Sequence, residues 1–254
     1  MGKEGERVKI LGIVGSPRKG GNTDDLIDRV LEGAKNRGAE VEKLYLRDLE
    51  IHPCQGAFSC EVAQKCILPD DMQKVYPKLH EAAGIVVGTP IYMGNVSGPL
   101  LNFLDRCRPF ISYLDSLGKP NLSPEEEKKL LEEKACLQLW RGVKTYAELG
   151  SRAEEAMERV IKTYTDKHAS SHPISAKRLG KGKRGVVLLS YHQPGESTYQ
   201  RVIDFLLFNL RDLWEVNIVD IIPAYRLLKR GDAQKRDDLM ARAFNAGIKI
   251  VDGR

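Results

Sequence analysis

The residues with the clearest chemical potential follow the first apolar run of the chain, at positions 8–14. The next segment, 15–23, reads Gly-Ser-Pro-Arg-Lys-Gly-Gly-Asn-Thr and combines glycines, small hydroxyls and a guanidinium. Glycines let backbone amides approach an anion, and a helix that begins directly afterwards adds unpaired N–H donors and its positive dipole end. This pattern predicts a cup for a phosphate group. An ordinary glycine-rich turn between a strand and a helix is the alternative.

The spacing within this segment excludes two common phosphate motifs. A Walker loop needs a glycine followed by Lys and then Ser or Thr, and the segment has no such order. The Gly-x-Gly-x-x-Gly spacing of dinucleotide-binding turns is also absent. A monophosphate held by side chains as well as amides is the better interpretation.

The elements that must position the cup alternate between apolar runs and amphipathic stretches. The apolar runs are typical of buried strands and lie at 8–14, 40–46, 84–88, 185–190 and 216–222. Helical spacing of apolar residues follows each run, and the last helix is expected over 232–251. Five strands alternating with helices predict an α/β fold with a doubly wound parallel sheet. Because ligands bind beyond the carboxyl ends of such strands, the loops after the first, third and fourth strands are expected to converge.

The stretch 108–183 departs from this alternation. It is highly charged between its apolar positions and carries two helix-like segments, at 123–140 and 145–168. We therefore predict one domain over 1–254, with 108–183 as a helical insertion after the third helix. The insertion is expected to cover the binding crevice or to form an interface between copies of the chain.

Composition excludes several classes of protein. The chain has 254 residues, of which 42% are hydrophobic and 30% charged, as in soluble globular proteins. No apolar run approaches the roughly 20 residues of a membrane span, and the charged N-terminus leads directly into a strand. The net charge of +5 is too mild to indicate nucleic-acid binding. We expect a cytoplasmic protein with neither a membrane nor a nucleic-acid partner.

Three segments together carry a family resemblance: 15–23, the loop Thr-Pro-Ile-Tyr-Met-Gly-Asn-Val-Ser at 89–97, and Lys-Arg-Gly-Asp at 229–232. With this pattern the chain resembles the NAD(P)H-dependent FMN reductase family, and its nearest branch is the flavodoxin-like iron–sulfur flavoproteins. The resemblance covers roughly 8–107 and 184–252. It implies a flavodoxin-like sheet with strand order 2-1-3-4-5 and FMN as the cofactor.

The resemblance also assigns roles to individual residues. The FMN phosphate is expected to contact four residues of the first loop, Ser16, Arg18, Asn22 and Thr23. The isoalloxazine ring is expected to lie against the second loop, at Pro90, Ile91, Tyr92, Met93, Gly94 and Asn95. The far edge of the ring is expected to meet Ser190, Tyr191, His192 and Gln193. Two of these side chains have a second interpretation, since Tyr92 either stacks on the ring or fills core, and His192 either donates a proton or is solvated.

The cysteines depart from the pattern of the iron–sulfur branch. That branch carries a motif resembling Pro-Cys-x-x-Cys-x-x-Cys with a fourth cysteine after it, whereas this chain has Ala57 where the second cysteine is expected. Cys54, Cys60 and Cys66 leave a four-iron cluster one thiolate short. We therefore expect neither an iron–sulfur cluster nor a bound metal. A zinc site with three cysteines and a histidine is the alternative to unligated thiols.

The function implied by the resemblance is that of an FMN-dependent oxidoreductase. NAD(P)H is the expected co-substrate, and the acceptor is expected to be a quinone, a flavin, a nitro compound or a similar small molecule. The cofactor performs the chemistry, so no catalytic side chain is assigned. A homodimer or homotetramer is the expected assembly. Two alternatives are an electron carrier between protein partners and a non-redox protein that binds another phosphorylated ligand.

Overall fold

The computed structural model describes residues 7–56, 66, 68–110, 179 and 182–253. The chain divides into two compact units. The first comprises Met1–Ile51, Asp70–Leu104 and Leu179–Arg254, and the second comprises His52–Pro69 and Asp105–Arg178. The helices predicted at 123–140 and 145–168 lie outside the described residues, so a single domain with a helical insertion stays a prediction.

The described strands and helices follow the predicted alternation. The strands are β1 (Lys9–Val14), β2 (Glu40–Tyr45), β3 (Gly84–Tyr92), β4 (Asn95–Val96), β5 (Arg184–Ser190) and β6 (Asn217–Ala224). The α-helices are α1 (Asn22–Asn36), α2 (Met72–Glu81), α3 (Gly98–Asp105), α4 (Gln200–Leu207) and α5 (Asp237–Asp252). The final helix begins five residues later than predicted, because a short 3₁₀ turn at Ala233–Lys235 precedes it.

The sheet confirms the predicted topology. Its strands lie in the order β2-β1-β3-β5-β6, and these neighbours are all parallel. Without the short β4 this is the 2-1-3-4-5 order of flavodoxin-like folds. β1 is buried from Ile10 to Val14 and β5 from Gly185 to Ser190, as expected of strands covered by helices on both faces.

The segment after Gly88 corrects the sequence prediction. Thr89 to Tyr92 continue β3 as a strand rather than forming a loop, and β4 then returns antiparallel against its end. Met93 and Gly94 connect the two strands with φ of 48° and 74°. A two-residue turn with both φ angles positive is the type I′ hairpin. The predicted loop is therefore a β-hairpin, and it adds a sixth strand to the five predicted.

Helices α1 and α5 pack closely on one face of the sheet. A Cβ on Gly33 would overlap the carbonyl oxygen of Phe244, and one on Gly247 would overlap that of Val30. Only glycine permits this approach of two helix backbones. The contact therefore fixes α5 relative to α1. None of the described helices has the length and hydropathy required to cross a membrane.

Candidate functional site

The first loop has the shape that an anion cup requires. The Arg18 N–H donates to Ser16 Oγ at 3.1 Å, so the serine hydroxyl closes a tight turn at the end of β1. Gly20 has a φ of +62°, a left-handed conformation that suits glycine, and its N–H donates to Asp24 Oδ2 at 2.7 Å. Arg18 is exposed, and its guanidinium contacts no partner among the described residues.

The start of α1 offers free backbone donors beside this loop. The first hydrogen bond of the helix runs from the Asp25 N–H to the Gly21 carbonyl at 2.9 Å. Within the described ranges, the N–H groups of Asn22, Thr23 and Asp24 have no acceptor. Three aligned amides at the positive end of a 15-residue helix form a favourable environment for an anion.

Asp24 is a buried carboxylate that supports the loop from below. It accepts hydrogen bonds from Gly20, from Lys43 Nζ at 2.9 Å and from the Tyr45 hydroxyl at 3.1 Å. Burial on its own lowers the pKa of Lys43, but hydrogen bonds to Asp28, Tyr45 and Asp24 outweigh it and raise that pKa. The Lys43 ammonium pairs with Asp24 at 2.9 Å and with Asp28 at 2.5 Å, so it offsets part of the negative charge beneath the loop.

Asp25 faces a less favourable environment than Asp24. Burial is the largest influence on its pKa and raises it, and the charges of Asp24 and Asp28 raise it further. The hydrogen bond with Gln234 and the charge of Arg230 lower the pKa, but the net shift is upward. Its Oδ2 atom is buried without a hydrogen-bond partner in the described part of the chain. A negative charge at this point costs stability and opposes the binding of a second anion nearby.

The hairpin of β3 and β4 is anchored beside the cup. Ser97, directly after β4, donates from its hydroxyl to the Gly15 carbonyl at 2.6 Å. The same hydroxyl accepts the Leu100 N–H at 3.4 Å and so caps α3, while the Ser97 N–H donates to Thr89 Oγ1 at 3.0 Å. The base of the hairpin is thus buried and hydrogen-bonded. Its tip is exposed, since Met93 is fully exposed and Tyr92 is 41% exposed.

The loops after the parallel strands are connected in a closed circuit of hydrogen bonds, and all of them belong to the first unit. Ser97 joins the β3 loop to the β1 loop, and Thr23 joins the start of α1 to Ser190 at the end of β5, with 2.6 Å between the two hydroxyl oxygens. The Leu227 N–H donates to the Tyr191 carbonyl at 2.9 Å, which joins the β6 loop to the β5 loop. Asn22 then completes the circuit by joining the β6 loop to α1. The predicted convergence of the loops is confirmed.

The loop after β5 contributes less to the crevice than expected. Tyr191 is buried; its hydroxyl donates to the carbonyls of Gly195 and Glu196, and its ring packs edge-on against Tyr199. Burial, with the nearby Glu196 charge, raises the pKa of Tyr191 to about 12. Tyr191 therefore serves to fold its own loop, while His192 is exposed and Gln193 is half-buried.

Some of the side chains predicted to contact the ligand already form hydrogen bonds within the protein. Asn22 Nδ2 donates to the Lys229 carbonyl at 2.9 Å, and its Oδ1 accepts the Ala233 N–H at 3.0 Å. Ser16, Thr23 and Asn22 shape the cup through contacts within the protein, whereas Arg18 is exposed and without a partner in the described segments. Pro90 is buried, Ile91 half-buried, and Gly94 and Asn95 are exposed at the hairpin tip.

Sequence reasoning missed two residues of this region. Arg230 donates from Nε to the Gly20 carbonyl at 2.5 Å, across 210 positions of the chain. Ser97 lies within the segment 89–97 that carried the family resemblance, but its role as the tie to Gly15 was not predicted. The only sequence signal for Arg230 was its place in the Lys-Arg-Gly-Asp segment.

The described cysteines show no metal site. Cys54 is exposed, Cys66 is half-buried and Cys107 is buried, and burial raises the pKa of Cys107 well above its usual value. Within the second unit, the buried Arg106 donates to the His52 carbonyl at 2.7 Å and to Cys66 Sγ at 3.3 Å. Among the described residues no three His, Cys, Asp or Glu side chains are grouped to hold a metal. Cys60 and Ala57 lie outside those residues.

A groove of about 650 Å³ lies elsewhere on the first unit, along β6 and α5. Asp220, on its wall, is already paired with Arg242 at 3.3 Å and with Lys249 at 2.8 Å. These charges are paired with one another, and the groove lies away from the hydrogen-bonded loops around the cup. We therefore do not propose it as the ligand site.

Comparison with known proteins finds a matching family and several relatives. Residues 8–128 match the NADPH-dependent FMN reductase family. An iron–sulfur flavoprotein of Methanosarcina thermophila is 41% identical over 99 residues, which cover 39% of this chain and 52% of that protein. An NAD(P)H-dependent FAD/FMN reductase of Geobacillus thermodenitrificans is 35% identical over 104 residues, which cover 40% of this chain and 52% of that protein. The chain thus spans about half the length of the curated relatives that it matches.

A solved structure supports the fold. The NAD(P)H:quinone oxidoreductase from Methanothermobacter marburgensis superposes with a TM-score of 0.56 at 15% identity, covering 97% of this chain and 98% of that one. Together these matches confirm the predicted resemblance to the FMN reductase family and its iron–sulfur flavoprotein branch, and the doubly wound fold.

Proposed function

We propose that this protein binds FMN and uses it to carry electrons from NAD(P)H to a small-molecule acceptor such as a quinone, a flavin or a nitro compound. The observation that carries the proposal is the anion cup at the start of α1, closed by loops from three other strands, in a chain whose residues 8–128 match an FMN reductase family. The names of the relatives, flavoprotein and FAD/FMN reductase, support a flavin as the ligand.

The donors of the cup fit the phosphate of FMN. The amides of Asn22, Thr23 and Asp24 lack acceptors in the described ranges, and the exposed Arg18 guanidinium supplies a full positive charge. A flavin phosphate carries nearly two negative charges, and charge-assisted hydrogen bonds of this kind each contribute about 1.5–3 kcal/mol. The buried Asp24 opposes this charge less than an unpaired carboxylate would, because Lys43 pairs with it at 2.9 Å.

The hairpin fits the flat ring of a flavin. Its two turn residues have positive φ, which gives the tip the compact geometry of a type I′ turn. Tyr92 and Met93 offer exposed aromatic and thioether surface beside the cup, which suits contact with an isoalloxazine ring. The stacking interpretation of Tyr92 is therefore the better supported one.

The chain's own residues bind and orient the cofactor. The chemistry that FMN supplies when bound is hydride acceptance from a nicotinamide and electron transfer to an acceptor. Arg18 and the α1 amides would fix the phosphate, and the hairpin would fix the ring. His192 is exposed after β5, where it is available to donate a hydrogen bond to the ring or to the acceptor.

The proposal is tested by steady-state oxidation of NADH and NADPH at 340 nm by the purified full chain, with FMN present and with each acceptor class in turn. Sustained oxidation that depends on both FMN and an acceptor is expected. A chain that binds FMN yet oxidises neither nucleotide would instead favour an electron carrier between protein partners, the alternative that the iron–sulfur flavoprotein names of the relatives support.

The assembly and the cysteines complete the proposal. We expect a homodimer or a homotetramer, which size-exclusion chromatography with light scattering measures.

Because Ala57 replaces one cysteine of the iron–sulfur motif, we expect no four-iron cluster. Iron and sulfide analysis of anaerobically purified protein tests this, and stoichiometric iron with sulfide would contradict it.

A further inference from the structure

The loop from Tyr225 to Asp232, here called the strap, connects β6 to the turn before α5. It carries Arg226, Lys229 and Arg230, three cations within five residues. Asp232 holds its shape by accepting the N–H groups of Leu228 and Lys229 at 3.0 and 2.6 Å. These hydrogen bonds, the one from Lys229 most of all, lower the pKa of Asp232, so the carboxylate stays charged and keeps the strap ordered.

The strap is fastened to the anion cup from both sides. Asn22 in the first turn of α1 donates to the Lys229 carbonyl and accepts the Ala233 N–H. Arg230 returns the contact by donating from Nε to the Gly20 carbonyl at 2.5 Å. The strap and the first loop are therefore held in one fixed arrangement, although more than 200 positions separate them in the sequence.

Gly20 makes room for the Arg230 guanidinium. A Cβ at Gly20 would overlap Arg230 Nη2, so the guanidinium lies directly against the backbone of the cup. Only one of its five N–H donors is used by a described residue, and the side chain is exposed. The charge of Arg230 also acts on the Asp25 carboxylate in the first turn of α1, which places the guanidinium in the electrostatic environment of the cup. The N–H donors that remain are available for charge-assisted hydrogen bonds to an anion there.

We propose that Arg230 is a specificity residue of the cup, which makes the protein select phosphorylated flavins over flavins without a phosphate. The inference rests on the proposed function, because it takes FMN as the ligand. Arg18 and Arg230 then supply two guanidinium groups to the phosphate, from segments at opposite ends of the chain. Charge pairing with phosphate raises the affinity for FMN and leaves that for riboflavin unchanged, since riboflavin lacks the phosphate.

The experiment titrates the flavin-free full chain with FMN and with riboflavin, following the quenching of flavin fluorescence. For Arg230→Ala we expect FMN binding to weaken by roughly tenfold, which corresponds to the loss of one charge-assisted contact, and riboflavin binding to stay the same. Arg230→Gln keeps a donor for the Gly20 carbonyl but loses the charge, and it should weaken FMN binding nearly as much. Thermal unfolding of each variant confirms that it is folded.

Lys229→Ala is the matched control. It removes one positive charge from the same strap, while the Lys229 carbonyl that Asn22 contacts remains. Its FMN affinity should fall by much less than that of Arg230→Ala. If Arg230→Ala weakens FMN and riboflavin equally, or weakens neither, the specificity role is wrong while FMN binding stands. If the wild-type chain binds no FMN, the proposed function and this inference both fail.

Discussion

The anion cup and the tip of the hairpin follow neighbouring strands, but they are held very differently. The cup is tied by side chains from the β3 loop, from β5 and from the strap, and a carboxylate paired with Lys43 lies beneath it. Among the described residues, the tip is held by two cross-strand pairs and a tight turn, and its Met93 side chain is fully exposed. The charged end of the site is thus built to one geometry within this chain, while the apolar end is left open to what binds there.

This difference has a physical reason. Charge-assisted contacts weaken steeply when donors are misplaced, so a phosphate site gains most from donors that are already in position. Apolar contact is non-directional and depends on the area buried, so an exposed tip can accommodate flat molecules of different shape. If the proposed function is correct, the cup would determine which cofactor binds, and the tip would leave room for different acceptors.

The largest effect is expected from removing the free charge of the cup. Arg18→Ala should weaken FMN binding by roughly 10- to 100-fold, because it deletes a charge-assisted contact worth about 1.5–3 kcal/mol. Thermal stability without flavin should hardly change, since the guanidinium has no partner among the described residues. Equilibrium titration with FMN measures the loss, and Lys35→Ala on the far end of α1 is the control for net charge. An unchanged FMN affinity would show that Arg18 does not contact the FMN phosphate.

The next effect is expected from the backbone of the cup. Gly20→Ala places a side chain at a φ of +62°, which costs about 1–2 kcal/mol, and it also displaces the Arg230 guanidinium. Urea unfolding should show the lower stability, and FMN titration should show weaker binding. In an Arg230→Ala background the overlap is absent, so Gly20→Ala should affect FMN affinity less there. Equal effects in the two backgrounds would show that the two residues act independently.

A smaller effect of opposite sign is expected at the hairpin tip. Met93 has a φ of 48°, which costs a residue other than glycine about 1 kcal/mol or more, so Met93→Gly should raise the free energy of unfolding by roughly that amount. Chemical denaturation without flavin measures the change. Met93→Asn, which tolerates the same backbone conformation, should lie between the two. A loss of stability in Met93→Gly would mean that the Met93 side chain makes contacts that hold the hairpin.

The smallest effect is expected at Asp25, and it depends on pH. Burial raises the pKa of Asp25 in the folded protein above the unfolded value of 3.8, so the folded state holds the carboxyl proton more tightly. The free energy of unfolding therefore falls as the pH rises from 3.8 through the folded pKa. Asp25→Asn should therefore raise the melting temperature at pH 7, and the gain should vanish below about pH 3.8. It should also tighten FMN binding slightly, because a negative charge near the cup is gone. Melting curves over a range of pH test this, and a gain that persists at low pH would contradict it.

The fold was predictable because its signals are local. The continuous apolar runs at 84–88 and 185–190 predicted β3 and β5, and the order of strands and helices predicted a doubly wound sheet. The extension of β3 over Thr89 to Tyr92 was not predicted, because Pro90 lacks a backbone N–H and is uncommon within a central strand. The turn that makes the hairpin places a methionine at positive φ, which lacks the Asn-Gly or Asp-Gly signal of such turns.

The candidate site was predictable in its position but not in its connections. The glycines, Arg18 and the start of α1 are contiguous in sequence, so their pattern indicates a cup. The bonds of Asn22 to the strap and of Arg230 to Gly20 depend on how α1 packs against α5, and no local pattern encodes that contact. For Tyr191 the position was right but the contact was not foreseen. Its place after β5 suggested a contact with the ligand, whereas its hydroxyl donates a hydrogen bond to the Glu196 carbonyl within its own loop.

Whether this chain holds a flavin by its phosphate is decided by comparing FMN with riboflavin on the wild-type protein. The flavin-free full chain is titrated with each flavin, and binding is followed by absorbance and fluorescence. We expect a saturable FMN site with at least about tenfold higher affinity than for riboflavin, as one or more charge-assisted contacts require. Equal affinity for the two flavins, or FMN that remains free in solution, would contradict it.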